Sequence, residues 1–105
     1  MAHPIVWLPA AAQDLQDISD YIRQSSEAYA DSMIDRILDD VEDLPPFPRK
    51  GHVVQDVRMT GVELREVSVR PYRVIYRLRH DRIVIIAIVH GARRLRPVLK
   101  GRRLQ

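Results

Sequence analysis

YRVIYRLRHDRIVIIAIVHGARR, residues 72–94, is the stretch that decides the fold of this 105-residue chain. Over its first eight residues Tyr72, Val74, Tyr76 and Leu78 alternate with Arg73, Ile75, Arg77 and Arg79, the period of two that sends successive side chains to opposite faces of a strand. One face is largely apolar and the other is dominated by arginine. His80 and Asp81 then form the turn of a hairpin. Ile83 through Val89 are apolar without a break, as expected of a central strand buried on both faces. The stretch closes on His90, Gly91 and two further arginines.

Upstream, from Val62, the same period of two places Arg65, Val67 and Val69 on one side and Leu64, Glu66 and Ser68 on the other, before Arg70 and Pro71 turn the chain. The proline-rich PPFPRKGH (45–52) reads as a loop, with Val53, Val54 and Val57 as a short strand or extended arm after it. Earlier still the period is helical. Ala30, Met33, Ile34, Ile37, Leu38, Val41 and Leu44 follow the i, i+3, i+4, i+7 rule, with Ser26 as N-cap and Pro45 and Pro46 as the stop. Leu15, Ile18 and Ile22 mark another helix from about Pro9 to Arg23, with Asp14 near the positive end of its dipole. Ile5, Val6 and Trp7 make a short first strand.

Strand, two helices and then strands (β-α-α-β-β-β) predict an α+β fold: a helical hairpin packed on one face of a twisted antiparallel sheet. Residues 1–105 are expected to form one domain. The basic tail over 95–105 reads either as a short helix interrupted by Pro97 or as a flexible segment.

Charge is unevenly divided. Ten acids against two arginines give residues 1–48 a net charge of −8, whereas fifteen basic residues against four acids give the remainder +11. This asymmetry predicts a basic working face on an acidic, solvated scaffold. Asp39, Asp40, Glu42 and Asp43 fall on or beside the water side of the second helix and read as solvated charge. The expected working face is a patch on which Arg73, Arg77 and Arg93 converge, a surface suited to a polyanion.

Several chemistries find no support. The chain has no cysteine, which removes disulfides, thiolate metal sites and a thiol nucleophile. His3, His52, His80 and His90 lack metal-ligand spacing, so no metal is expected. The four glycines form no phosphate-binding loop and the serines no nucleophile elbow, so no cofactor is expected either. Pro4 and Pro9 interrupt an N-terminus without a basic leader; a cytoplasmic protein with no membrane association is the expectation.

REVSV at 65–69, YRVIYR at 72–77 and IVHGARR at 88–94, in this order of elements, resemble the RelE/ParE superfamily of type II toxin–antitoxin toxins, nearest its ParE-like, plasmid-stabilisation branch. The resemblance implies a bacterial growth inhibitor neutralised by a cognate antitoxin, ParD-like or RelB-like, in a hetero-oligomer. For the ParE-like branch it implies DNA gyrase as target, with cleaved DNA trapped. For RelE-like members it implies the ribosome as target and an mRNA endonuclease, in which Arg73 and Arg93 look like the two phosphate-contacting arginines.

Residue by residue, the RelE-type set is incomplete. Arg65 and Glu66 stand where its proton-transferring lysines are expected, and no tyrosine follows Tyr76. Arginine stays charged and is a poor proton shuttle. His90 has two readings, an acid or base near Arg93 or a side chain that holds the turn before Gly91. Glu66 likewise reads as a base or as the partner of a nearby arginine. The reading that follows leans away from an enzyme, toward a gyrase inhibitor whose target contacts are Arg65, Arg73, Arg77, His90, Arg93 and Arg94. The alternatives are an endonuclease using Arg73 and Arg93 with His90 or Glu66, and a non-toxic nucleic-acid-binding adaptor.

Overall fold

The computed structural model describes residues 3–55 and 62–104. Strand β1 (Ile5–Trp7) leads directly into helix α1 (Pro9–Arg23). Pro9 sits in the first helical turn, where its missing N–H has no partner to lose. Helix α2 (Glu27–Glu42) starts at Ser26, whose hydroxyl accepts from the Tyr29 N–H at 3.0 Å, meeting one of the donors that a helix start leaves unpaired. Ala30, Met33, Ile37 and Val41 are buried at helical spacing along α2, so the apolar stripe read from the sequence is the one that packs.

The sheet contains β2 (His52–Val53), β3 (Arg65–Val69), β4 (Tyr72–Arg79) and β5 (Arg82–His90), in the order β1-β5-β4-β3-β2. The expected Val53–Val57 arm is present as the two residues of β2, while Val57 lies outside the described residues. Three pairings are antiparallel, but β1 lies parallel to β5, with Ile5 opposite Ile83. An entirely antiparallel sheet is therefore corrected at one edge. A tight turn fixes the direction of its two strands, but two helices and three strands separate β1 from its partner β5, so no hairpin constrains it.

A β-bulge divides β5. Ile75 faces Ala87, yet the next residue, Tyr76, faces Ile85, leaving Ile86 as the extra residue. The bulge resets the alternation: Ile83, Ile85 and Ile88 face the helices, whereas Val84, Ile86, Ala87 and Val89 face away. In the β4–β5 hairpin, His80 and Asp81 take φ values of 48° and 63°, the left-handed region that the flanking strand twist requires and that few residue types enter readily.

The face away from the helices is a second core. Leu95 and Leu99 of helix α3 (Leu95–Leu99), with Leu104 beyond it, are buried against Ile75, Ile86, Ala87 and Val89. Pro97 does not interrupt α3, because it occupies the first turn, where no intrahelical N–H is needed. Burying one leucine side chain is worth about 2 kcal/mol. Three of them hold this strongly basic segment on the sheet, where repulsion between two exposed charges is only about 1 kcal/mol even at close range in water.

Candidate functional site

The arginines take the faces that the alternation suggested, but they do not form the expected exposed patch. Arg73 and Arg77 leave the face of β4 that carries Ile75, whereas Arg65 is paired with Tyr76 and leaves the helix-side face. Each is engaged within the fold. Arg73 donates to Glu66 Oε2 at 3.0 Å and to the Arg93 carbonyl at 3.1 Å, and its side chain is only 15% exposed. Arg77 donates to the carbonyl of Leu104. Arg65 donates to the carbonyls of Arg49 and Gly51, at 3.2 and 2.9 Å, and pairs with Glu63 at 3.1 Å. The expected patch of Arg73, Arg77 and Arg93 is thus replaced by internal bonds, since a half-buried guanidinium needs acceptors that water no longer supplies.

His90 leaves the other face of the sheet, and Arg93 meets Arg73 through its backbone carbonyl. His90 is opposite Tyr72 and makes an edge-to-face ring contact with it, centroids 5.9 Å apart. It therefore shares the helix-side face with Tyr72, opposite to Arg73. Its Nδ1 accepts from the Ala92 N–H at 3.2 Å, and the Arg93 N–H bonds the His90 carbonyl at 3.0 Å. These bonds form the tight turn at Gly91 and leave the neutral imidazole proton on Nε2. Arg93 and Arg94 are exposed, and neither forms an ion pair among the described residues.

Beyond the turn lies a cleft of about 440 Å³ between the end of β5 and helix α1, lined by Asp17, Tyr21, Tyr72, His90 and Arg93 among others. Tyr21 is 72% exposed. Burial raises the Tyr72 phenol above its ordinary pKa, with the nearby Tyr29 and Tyr21 adding to the shift. Sequence reasoning missed Tyr21 and Asp17, because only the packing of α1 on the sheet brings them to His90. The exposure of Tyr21 beside a helical apolar stripe was the available signal.

Asp14 also differs from its expected role. Its carboxylate takes two hydrogen bonds from Arg102, at 2.6 and 2.8 Å, and one from the Ile88 N–H at 3.0 Å. Arg102 further donates to the Ile86 carbonyl at 3.0 Å. Strand β1 has no partner for β5 beyond Ile85, so this pair satisfies backbone groups left open past the bulge. The carboxylate in turn raises the pKa of the Arg102 guanidinium further above its usual value. Among the described residues no three histidine or acidic side chains gather around a possible metal position, and no helix is long and apolar enough to cross a membrane.

A family model described as the ParE toxin of type II toxin-antitoxin system, parDE, matches residues 5–95. The chain belongs to this ParE toxin family. The matched region of the ParE-family chain runs from β1 to the first residue of α3 and includes His90 and Arg93; Arg102 lies beyond it. The chain is 34% identical over 90 residues to Toxin RelE2 of Caulobacter vibrioides, covering 85% of this chain and 96% of that protein. A chain of the solved chromosomal ParDE TA system from P. aeruginosa shares the fold, with a TM-score of 0.67 and 22% identity over 85% of this chain and 96% of that one. The ParE-family chain is thus a type II toxin–antitoxin toxin of the RelE/ParE superfamily, with the α+β architecture expected of it.

Proposed function

We propose that this toxin arrests bacterial growth by binding DNA gyrase and trapping cleaved DNA, and that a cognate antitoxin neutralises it. The gyrase target comes from the ParE-like resemblance. The observation that carries the reading is that one acid–base candidate, Glu66, is engaged by the cation it would share with a scissile phosphate, while the other, His90, lies on the opposite face from that cation. Glu66 is tied to Arg73 on one face of the sheet, while His90 leaves the other face with its Nδ1 already accepting from Ala92. A nuclease needs a proton acceptor and a phosphate-stabilising cation aimed at one scissile group. An inhibitor needs only a rigid complementary surface.

The cleft at the end of β5 suits that second task. Tyr21 and Arg93 are exposed side chains of types enriched among the residues that dominate binding energy at protein interfaces. His90 lines the same cleft and the exposed Arg94 follows Arg93 in the chain, and the target contacts are accordingly His90, Arg93 and Arg94 with Tyr21 added. Arg65, Arg73 and Arg77 contribute by holding the sheet and the C-terminal segment in place.

Expression of the toxin alone in bacterial cells distinguishes the readings. The expected result is broken DNA and a damage response with messenger RNA intact, and loss of growth arrest in Arg93→Glu combined with Tyr21→Ala. Ribosome-dependent cuts in messenger RNA that disappear in His90→Gln would instead establish the endonuclease. Unimpaired growth would establish the adaptor.

A further inference from the structure

The like-charged end of the β4–β5 hairpin has no role in the site above. Arg79 and Arg82 are directly opposite each other across the two strands, both exposed, with His80 in the turn between them. Like charges in that position destabilise a hairpin. Neither arginine has an ion pair among the described residues, although Asp81 lies in the same turn. Beside them is a groove of about 520 Å³ whose remaining lining is Val6, Leu8 and Val84. Val6 is 37% exposed. The groove lies on the same face as the C-terminal segment, next to Arg77, where that segment's Leu104 is bonded.

An apolar floor with a cationic rim that has no ion pair among the described residues fits a peptide that offers a hydrophobic side chain next to carboxylates. A nucleic-acid strand would satisfy the rim and leave the exposed Val6 uncovered. We propose that this groove receives an acidic, extended segment of the cognate antitoxin, with an apolar side chain on Val6, Leu8 and Val84 and carboxylates between Arg79 and Arg82. The inference rests on the toxin–antitoxin reading and adds to it the place and chemistry of the contact. It is a different surface from the cleft at the end of β5, so an antitoxin anchored here reaches the target-binding cleft only by extending across the protein.

The test titrates purified toxin with the full-length antitoxin encoded beside its gene, at two salt concentrations. Arg79→Glu is expected to weaken binding roughly tenfold or more, as a charge pair becomes a repulsion, and to flatten the salt dependence. The same substitution places opposite charges at a facing pair, so its Tm should hold or rise, which separates lost binding from lost folding. Val6→Asp should weaken binding comparably, and Arg96→Glu on α3 should leave it unchanged. Wild-type affinity in both Arg79→Glu and Val6→Asp would overturn the groove while leaving the toxin–antitoxin reading intact. Failure of wild-type toxin to bind the antitoxin would overturn both. Retained antitoxin binding with loss of binding to a single-stranded oligonucleotide in Arg79→Glu would reassign the groove to nucleic acid.

Discussion

Asp14→Ala is expected to lower the unfolding free energy by about 3 kcal/mol, because it removes one partner of a largely buried ion pair and leaves the other uncompensated. The two side chains are only 16% and 17% exposed. The substitution strands Arg102 against the Ile86 carbonyl and leaves the Ile88 N–H without its acceptor. An unpaired buried backbone donor alone costs about 1–3 kcal/mol. Urea denaturation of Asp14→Ala, Arg102→Ala and the double variant gives the coupling directly, and the double variant should be less destabilised than the sum of the two. An Asp14→Ala curve that overlays the wild type would show that the Asp14–Arg102 pair does not hold α1, the bulge of β5 and the C-terminal segment together.

Gly51→Ala should cost a further large amount for a different reason. A Cβ at Gly51 would lie 2.7 Å from the Glu66 carbonyl oxygen, 2.7 Å from the Tyr76 hydroxyl and 2.8 Å from its ring. Backbone on the neighbouring strand and a fully buried ring cannot move aside independently, and overpacking of this sort costs about 1–3 kcal/mol. The same insertion disturbs the Tyr76 hydroxyl, which accepts from the Gly51 N–H at 2.9 Å and donates to the Pro48 carbonyl at 2.8 Å. Burial also raises the pKa of this phenol, outweighing the opposing effect of the Gly51 N–H bond. Tyr76→Phe should therefore destabilise by about 1–2 kcal/mol through two unpaired backbone groups. In the double variant the missing hydroxyl relieves one of the close contacts, so its loss should be smaller than additive. An additive result, or a neutral Gly51→Ala, would mean that the loop has room to shift.

The sequence made some levels of this structure legible and hid others, for identifiable reasons. Periodicity located α1, α2 and β3 to β5, because each must bury a face and its apolar residues repeat accordingly. Ser26 was readable as a cap because capping is a local interaction. Partners distant along the chain were not readable. Arg77 meets a carbonyl 27 residues away and Arg102 meets an acid 88 residues away, and neither pairing leaves a local signal. The tail offered Leu95 and Leu99 one turn apart, but its arginines and Pro97 obscured that the second sheet face needed a cover. In the candidate site, Gly91 and the HGAR turn placed His90 and Arg93 together from sequence. The expected patch of Arg73, Arg77 and Arg93 failed because carbonyls far along the chain, those of Arg93 and Leu104, engage Arg73 and Arg77, and Tyr21 entered only through the packing of α1.

Under the proposed function the protein inhibits by binding, and does so at gyrase. Incubation of purified gyrase with supercoiled plasmid, with and without the toxin, followed by protein denaturation and electrophoresis, tests it most directly. Linear DNA that forms only when gyrase and toxin are both present, and that diminishes with the Tyr21→Ala/Arg93→Glu variant, is the expected result. Plasmid that stays supercoiled with both proteins present, while ribosome-bound messenger RNA is cut by the same preparation, would contradict it.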